Sequence, residues 1–369
     1  MSESFSPATW VVWGGFVLAF VFGAIANKTN FCTMGAISDV VNMSHWGRVR
    51  MWLLAIAVAM IGTNLLSYFG QIDLSKTLYL RTNLPWLSLI VGGTLFGVGM
   101  TIASGCANKN LVRVGGGSVR SLVVLVFTAI SAYMTLKGLF GQWRASYLDP
   151  ITIDLASFGV INQGLPQILA KLSGLGDATA LLLTCGSISL AMLIFIFKDR
   201  RFRKNVAHVL GSIMLGLLVV LAWYLTGHIG FGENPETLEI GYFATNTRTL
   251  ESFSFVAPTA FSLEILMLWT DKSMHVTFGI ATVLGILLGS FAYAKVTNQF
   301  RWEGFASVDD LKIQLIGAVL MGFGGVTAMG CTVGQGLSGV STLALGSFMA
   351  LASIVVGAVA TMKWQIWRA

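Results

Sequence analysis

Nine stretches of this chain are apolar, almost free of charge, and close to the ~20 residues a helix needs to cross a bilayer. They are Trp10–Ala26, Met51–Phe69, Pro85–Ala103, Val119–Leu136, Thr179–Phe197, Val206–Leu225, Val276–Ala294, Ile313–Met329 and Leu343–Met362. Only segments that satisfy their own backbone hydrogen bonds can cross lipid, so the pattern predicts an all-α polytopic membrane protein. Charged residues are 11% of the 369, against roughly 25% in a soluble domain. A cytosolic globular enzyme, a disordered chain and a secreted disulfide scaffold are thereby excluded. The net charge of +7 sits in short loops between the apolar runs, which argues against a nucleic-acid partner. The first run has no Lys or Arg before it and no small-residue cleavage site after it. It therefore reads as a span and not as a signal peptide.

A tenth run, Phe253–Trp269, is shorter and holds Pro258 and Glu264. The basic residues decide how to count it. If it dips into the membrane and returns, sixteen of the 23 Lys and Arg fall on one side and seven on the other. If it crosses, the last two loop groups change sides and the bias fades. Nine spans are therefore expected, with the N-terminus outside and the C-terminus in the cytoplasm. The acidic stretch Glu233, Glu236 and Glu239 then lies outside.

The chain also repeats itself. Gly92–Cys106 and Gly317–Cys331 align without gaps at an offset of 225, and seven of the fifteen pairs are identical, including the ending Ala-x-Gly-Cys. A fainter echo links Gly23-Ala24-Ile25-Ala26 to Gly289-Ser290-Phe291-Ala292. With nine spans, the copy ending at Cys106 runs inward and the copy ending at Cys331 runs outward. That is the arrangement of inverted-repeat transporters, whose site lies between the halves near the bilayer midplane. One transport domain over residues 1–369 is expected, with pseudo-repeat halves at about 9–139 and 253–362 and connecting spans in 179–225.

Polar or glycine-rich breaks follow the first span, Cys106 and Cys331. After each comes an apolar piece too short to cross: Phe31–Val41, Ala107–Val114 and Thr332–Val340. These read as half-helices. Irregular backbone at membrane depth is tolerated only beside protein or a water-lined cavity, so the breaks mark a pathway. Cys32, Cys106 and Cys331 stand at their mouths. A thiol is a weak donor and weak acceptor, which suits a soft sulfur anion in transit. Half-helix N-termini would supply positive potential without a fixed charge. Asn30, Ser104, Gly105, Gly330 and Gln335 belong to the same candidate pathway. Asn108, Lys109 and Asn110 could touch a substrate there or could cap backbone.

The chain resembles the YeeE/YedE transporters. The likeness rests on Asn30-Phe31-Cys32-Thr33-Met34-Gly35-Ala36 with Asp39, on Ala103-Ser104-Gly105-Cys106-Ala107, on Leu284–Phe291, and on Leu320–Gly324 through Gly330–Leu337. It implies an inner-membrane protein of two hourglass-like halves that takes up thiosulfate or a related sulfur anion. It also implies that Cys32, Cys106 and Cys331 pass the anion along by S–H hydrogen bonds, often beside a small cytoplasmic sulfur carrier of the TusA type. Where many members carry an Arg before the first Phe-Cys, this chain has only Lys28.

Other features carry plainer readings. Cys185 lies in an ordinary apolar helix and reads as packing. Glu264 is either a coupling site or the water-facing tip of a re-entrant segment. Asp39 reads as an ion-pair partner for Arg48 or Arg50. His45, His208, His228 and His275 fall at span ends, and Gly93/Gly97 and Gly285/Gly289 are helix-packing pairs. Lys198–Lys204 is a topology anchor. No metal or cofactor is expected. Two rival classes stand beside transport, a membrane enzyme and a soft-metal or selenium-species route. An intramembrane serine protease built on Ser104 or Ser338 lacks a histidine in reach. A thiol oxidoreductase would pair cysteines from the two halves, and a soft-metal or selenium-species route would use thiols as ligands.

Overall fold

The computed structural model describes residues 7–233, 240–305 and 307–368. Glu236 and Glu239 of the acidic stretch lie outside them. The first part of the chain forms α1 (Pro7–Thr29), α2 (Thr33–Met43), α3 (Gly47–Tyr68), α4 (Trp86–Ile102), α5 (Ala107–Gly115) and α6 (Val119–Lys137). A connecting region holds α7 (Leu139–Trp143), α8 (Leu165–Ser173), α9 (Asp177–Phe197) and α10 (Arg200–Lys204). The last part comprises α11 (Val206–Tyr224), α12 (Val256–Met267), α13 (Phe278–Val296), α14 (Val308–Thr327), a π-helical turn at Gly334–Gly339, and α15 (Leu345–Arg368). Among the described residues, strand content is confined to two short antiparallel pairs, Asn83–Leu84 with Ile153–Asp154 and Phe231–Glu233 with Ile240–Tyr242.

Among the described residues, nine helical stretches are long and apolar enough to cross a membrane. Their outward faces carry bare apolar side chains such as Val17, Phe127, Leu190, Leu284 and Ile316, which water would penalise and lipid accepts. Exposed Trp10 and Trp13 stand at the start of α1, and Trp364 and Trp367 at the end of α15. These are places where an amphipathic ring can sit at an interface. The chain is an all-α polytopic membrane protein.

Helix α12 has 12 residues, about 18 Å at 1.5 Å per residue, too short for a ~30 Å hydrocarbon core. The crossing of α4 with α14 gives a second argument that it does not span. Gly92 lies against Gly324 and Ala328, and Gly99 lies against Gly317 and Met321. One helix therefore ascends as the other descends. Four spans separate them (α6, α9, α11 and α13), so they must run oppositely, whereas a crossing by α12 would make them parallel.

This crossing is close because glycine lines it. A Cβ on Gly99 would stand 2.7 Å from the Gly317 carbonyl oxygen, and one on Gly317 would stand 2.8 Å from the Gly99 carbonyl oxygen. The wider packing has the same reciprocity. Helix α4 packs on α14 and α15, while α14 packs on α4 and α6. Likewise α1 packs on α13 and α11 on α3; α2 touches α15 and α12 touches α6. The faint likeness of Gly23–Ala26 to Gly289–Ala292 has a different origin from the repeat. Gly23 abuts the Ile286 carbonyl and Gly289 the Phe20 carbonyl. The two segments share small residues because α1 and α13 cross each other there.

Candidate functional site: three thiols at three helix breaks

Three helices end in the same way. Asn30 (φ 51°), Ser104 (φ 56°) and Met329 (φ 56°) are all left-handed, and each stands two residues ahead of a cysteine. The Ser104 amide donates to the Thr101 carbonyl and the Gly105 amide to the Met100 carbonyl. Met329 and Gly330 repeat those bonds to Val326 and Gly325, and Asn30 and Phe31 repeat them to Asn27 and Ala26. This left-handed closure satisfies the last carbonyls and turns the chain sharply. The next residue but one begins a new short element: Cys32 caps α2 and Cys106 caps α5. Cys331 precedes the third short piece, which is not the α-helix expected for Thr332–Val340. It opens with Gln335 N–H donating to Cys331 O, then slips to a five-residue bond from Ser338 N–H to Val333 O. The wider π geometry accommodates Gly334, Gly336 and Gly339, with Gly336 pressed on the Trp52 ring.

The sulfurs are oriented by these starts. The Gly35 amide donates to Cys32 Sγ and the Gly334 amide to Cys331 Sγ, both at 3.4 Å. The Cys106 thiol lies beside the Cys32 thiol and beside Thr332, the residue after Cys331, whose buried hydroxyl has no hydrogen-bond partner among the described residues. The order in space is therefore Cys331 and Thr332, then Cys106, then Cys32. All three are buried, at 0%, 1% and 7% exposure for Cys331, Cys106 and Cys32, and all are free thiols.

The amides near the breaks serve the backbone. Asn110 Nδ2 donates to the Gly105 carbonyl at 3.1 Å, and Gln335 Nε2 to the Ala328 carbonyl at 2.5 Å. They occupy equivalent repeat positions and do the same work. Asn108 Oδ1, on a residue 1% exposed, has no such bond.

The two ends differ in charge. Beside Cys32, Lys109 Nζ holds Asn30 Oδ1 at 3.0 Å and Arg113 Nη1 holds the Ser104 carbonyl at 2.8 Å. Both lie within electrostatic reach of the Cys32 sulfur. A Cβ on Gly35 would be 2.8 Å from Arg48 Nη1 and 3.8 Å from Cys32 Sγ, so a third cation flanks the same thiol. Lys28, by contrast, is exposed. At the repeat-equivalent places near Cys331 the chain carries Gly334 and Ser338. Ser338 Oγ is committed to the Phe253 carbonyl at 2.7 Å.

A cavity of about 590 Å³ opens at the Cys331 end. Its wall includes Asn246, Glu251, Ser254, Thr327 and Met329, and its floor reaches Gly330, the residue before Cys331. The N-terminus of α12 faces it through Ala257 and Pro258, and no side chain caps that helix. Buried atoms without a hydrogen-bond partner cluster here: both amide atoms of Asn246 and the hydroxyl of Thr327. A smaller cavity of about 270 Å³ lies between α2, α4 and α15, against Met34, Ser38 and Thr101.

Reading the sequence alone did not single out Arg48, Arg113, Thr332, Asn246 or Thr327 for this site. Thr332 was within reach of inspection, since it follows Cys331 directly. Other candidates fall elsewhere. Asp39 pairs with Arg48 at 3.4 Å, and Arg50 pairs with Asp199. Glu264 is not the water-facing tip of its segment: it is 4% exposed, ion-paired with Lys137 and contacted by the Tyr133 hydroxyl at 3.4 Å. Packing α12 on α6 brings that lysine to it. Cys185 Sγ lies 4.0 Å from the Met60 carbonyl, where α9 rests on α3. His45, His228 and His275 are exposed. Among the described residues, no group of three His, Cys, Asp or Glu is placed to hold a metal ion.

Spanning helices, three breaks each followed by a buried cysteine, and a cavity that reaches the residue before Cys331 fit a multi-pass membrane transporter. Residues 28–360 match the family described as sulphur transport. The chain belongs to that family, the YeeE/YedE transporters, and is a transporter, not an enzyme. It is similar to the thiosulfate transporter TsuA of Escherichia coli (strain K12), 26% identical over 97% of this chain and 95% of the relative. It is also similar to TsuA of Spirochaeta thermophila, 25% identical over 97% of this chain and the whole of the relative.

Proposed function

We propose that this protein imports thiosulfate or a closely related sulfur anion across the inner membrane, with its N-terminus periplasmic and its C-terminus cytoplasmic. The cavity of about 590 Å³ is then the outer vestibule. The Thr327 hydroxyl, the Asn246 amide and the uncapped start of α12 receive the oxygen-bearing end of the anion there. Its terminal sulfur meets Cys331, then Cys106, then Cys32, and leaves toward Lys109, Arg113 and Arg48. Gly105 and Gly330 keep the chain thin where the anion turns past each break. Thiols hold a dianion weakly, and conduction needs sites weak enough to release. The inner cations favour movement toward the cytoplasm, where a TusA-like carrier could receive the sulfur.

The observation that carries this reading is the Cys106 thiol between Cys32 and Thr332, at the meeting of two reciprocal sets of helices. The reciprocity supports two inverted halves, α1–α6 and α11–α15, with α9 as an added span. This pairing begins the second half at Val206, earlier than Phe253, because α11 packs on α3 as α1 packs on α13. The test is growth on thiosulfate as sole sulfur source in cells that lack their own importer. This chain should restore growth, and adding a sulfur-carrier protein should increase it. Failure to take up labelled thiosulfate in such cells would refute the reading.

A further inference from the structure

Two carboxylates line the vestibule, Asp149 and Glu251. They are not alike. Asp149 is neutralised: its Oδ2 accepts from Arg144 Nε at 3.0 Å and its Oδ1 from the Ser88 hydroxyl at 2.9 Å. Glu251 has no cationic partner among the described residues. Its Oε1 accepts only neutral donors, the Thr247 amide at 2.8 Å and the Thr247 hydroxyl at 2.6 Å. Its own carbonyl is held by the Thr226 hydroxyl, so the backbone that aims it is fixed. A lone carboxylate in the wall of a cavity that admits a dianion is an electrostatic conflict, unless it carries a proton when the anion is present.

We propose that Glu251 is the proton-coupling residue of this transporter: it takes a proton from the outer side as the anion enters the vestibule, and proton and anion move inward together. The inference rests on the reading of the chain as a thiosulfate importer. Energetics call for such a group. An inside-negative membrane potential holds a dianion out by roughly three orders of magnitude, and each proton carried along cancels one of its charges.

The surroundings of Glu251 are consistent with the role. Burial pushes its carboxyl above the ordinary range, against the smaller opposing effect of the bonds from Thr247 and the Asn246 backbone. Tyr79 faces it from the preceding loop, and burial holds that phenol neutral well above its usual range. Arg81 lines the cavity without an ion-pair contact to Glu251, and Arg144 is occupied by Asp149. Asp73, Lys76, His228 and Arg248 lie on the neighbouring segments, and none is ion-paired with Glu251. The acid of α12, Glu264, is buried and neutralised by Lys137, which removes it as a rival.

The test uses the full chain in sealed liposomes with a pH-sensitive dye inside and ³⁵S-labelled thiosulfate outside. In the wild type, thiosulfate addition should acidify the lumen, and an acid-outside pH step should raise accumulation at least tenfold. Glu251→Gln should keep exchange of labelled for unlabelled thiosulfate across the membrane, yet lose both lumen acidification and the response to the pH step. Glu251→Asp should restore part of both, and Glu264→Gln should leave the coupling in place. Wild-type uptake without proton movement, or pH-driven accumulation that persists in Glu251→Gln, overturns the proposal while leaving thiosulfate import standing. Wild-type liposomes that admit no thiosulfate under any gradient overturn the import reading itself.

Discussion

Ser104 and Met329 are 225 positions apart in the chain and share one backbone conformation, φ 56° in both, each two residues ahead of a cysteine. A left-handed Met costs about 1–2 kcal/mol and persists only where its surroundings impose it. Here the imposition is the close crossing of α4 and α14, whose carbonyls and glycines interlock around the breaks. Cys106 and Cys331 are thereby delivered to opposite sides of one crossing, and Thr332 closes the distance to Cys106.

The packing of α4 on α15 and of α14 on α6 is sensitive to added volume. A Cβ on Gly97 would run into the Ile354 carbonyl, and one on Gly322 would stand 2.5 Å from the Thr128 carbonyl. These are equivalent contacts in the two repeats, and both involve backbone that cannot rotate away. Gly97→Ala and Gly322→Ala should each destabilise by about 1–3 kcal/mol. Thermal unfolding of the purified protein in detergent would read this as similar drops in melting temperature. An unchanged midpoint in either variant would contradict the packing described.

Asn110 and Gln335 hold the carbonyls freed by the breaks. Replacing Gln335 with Leu leaves the Ala328 carbonyl buried and unpaired, at a cost of about 1–3 kcal/mol. Asn110→Leu should do the same to the Gly105 carbonyl. Both variants should lose stability and uptake together, with the KM of residual uptake nearly unchanged. A raised KM at wild-type stability would instead mean that these amides touch the anion.

The inner cations should act on affinity. Lys109→Gln removes one charge from the group of three beside Cys32 and keeps a donor for Asn30. A single charge contact here is worth on the order of 1–2 kcal/mol, so thiosulfate should bind roughly tenfold more weakly. Equilibrium binding of labelled thiosulfate to the solubilised protein would measure it. Lys28→Gln, at an exposed position, should change nothing.

A pH effect on stability is expected at Asp199, outside the spans. The Arg201 amide, and then Arg50, hold its carboxyl below the usual range. A depressed folded pKa stabilises the fold above the ordinary carboxylate range, and that contribution is lost as pH falls through the folded value. Asp199→Asn should therefore lower the melting temperature at pH 7 and make little difference once the carboxyl is protonated in strong acid. Equal losses at both pH values would assign Asp199 a purely steric role.

Much of this architecture was legible in the residues. Spans and their number follow from apolar length and from where Lys and Arg fall, and the short α12 agrees with the count. The breaks were visible as Asn27–Asn30, Ser104-Gly105 and Met329-Gly330, because polar or flexible residues interrupt an apolar run. The repeat pointed to Cys106 and Cys331 together. What stayed hidden depends on contacts between distant segments. Asn246 and Glu251 reach the vestibule because a loop folds back under α12, and no local pattern announces that. Arg48 and Arg113 read as topology charges until α2 and α5 converge on Cys32. The π geometry of Gly334–Gly339 goes with three glycines fitted against Ser254, Trp52 and Ser347, which a periodicity cannot show. The span α9 has no counterpart in the reciprocal packing, and its apolar sequence gives no sign of that.

The central claim is that a sulfur anion is handed between thiols of the two halves. Uptake of ³⁵S-thiosulfate into liposomes holding the purified chain tests it most directly, comparing wild type with Cys106→Ala, Cys331→Ala and Cys185→Ala. Uptake should vanish in the first two variants, with melting temperatures within a few degrees of wild type, and persist in the third. Wild-type uptake by correctly folded Cys106→Ala and Cys331→Ala would show that the thiols are packing and that the anion takes another route.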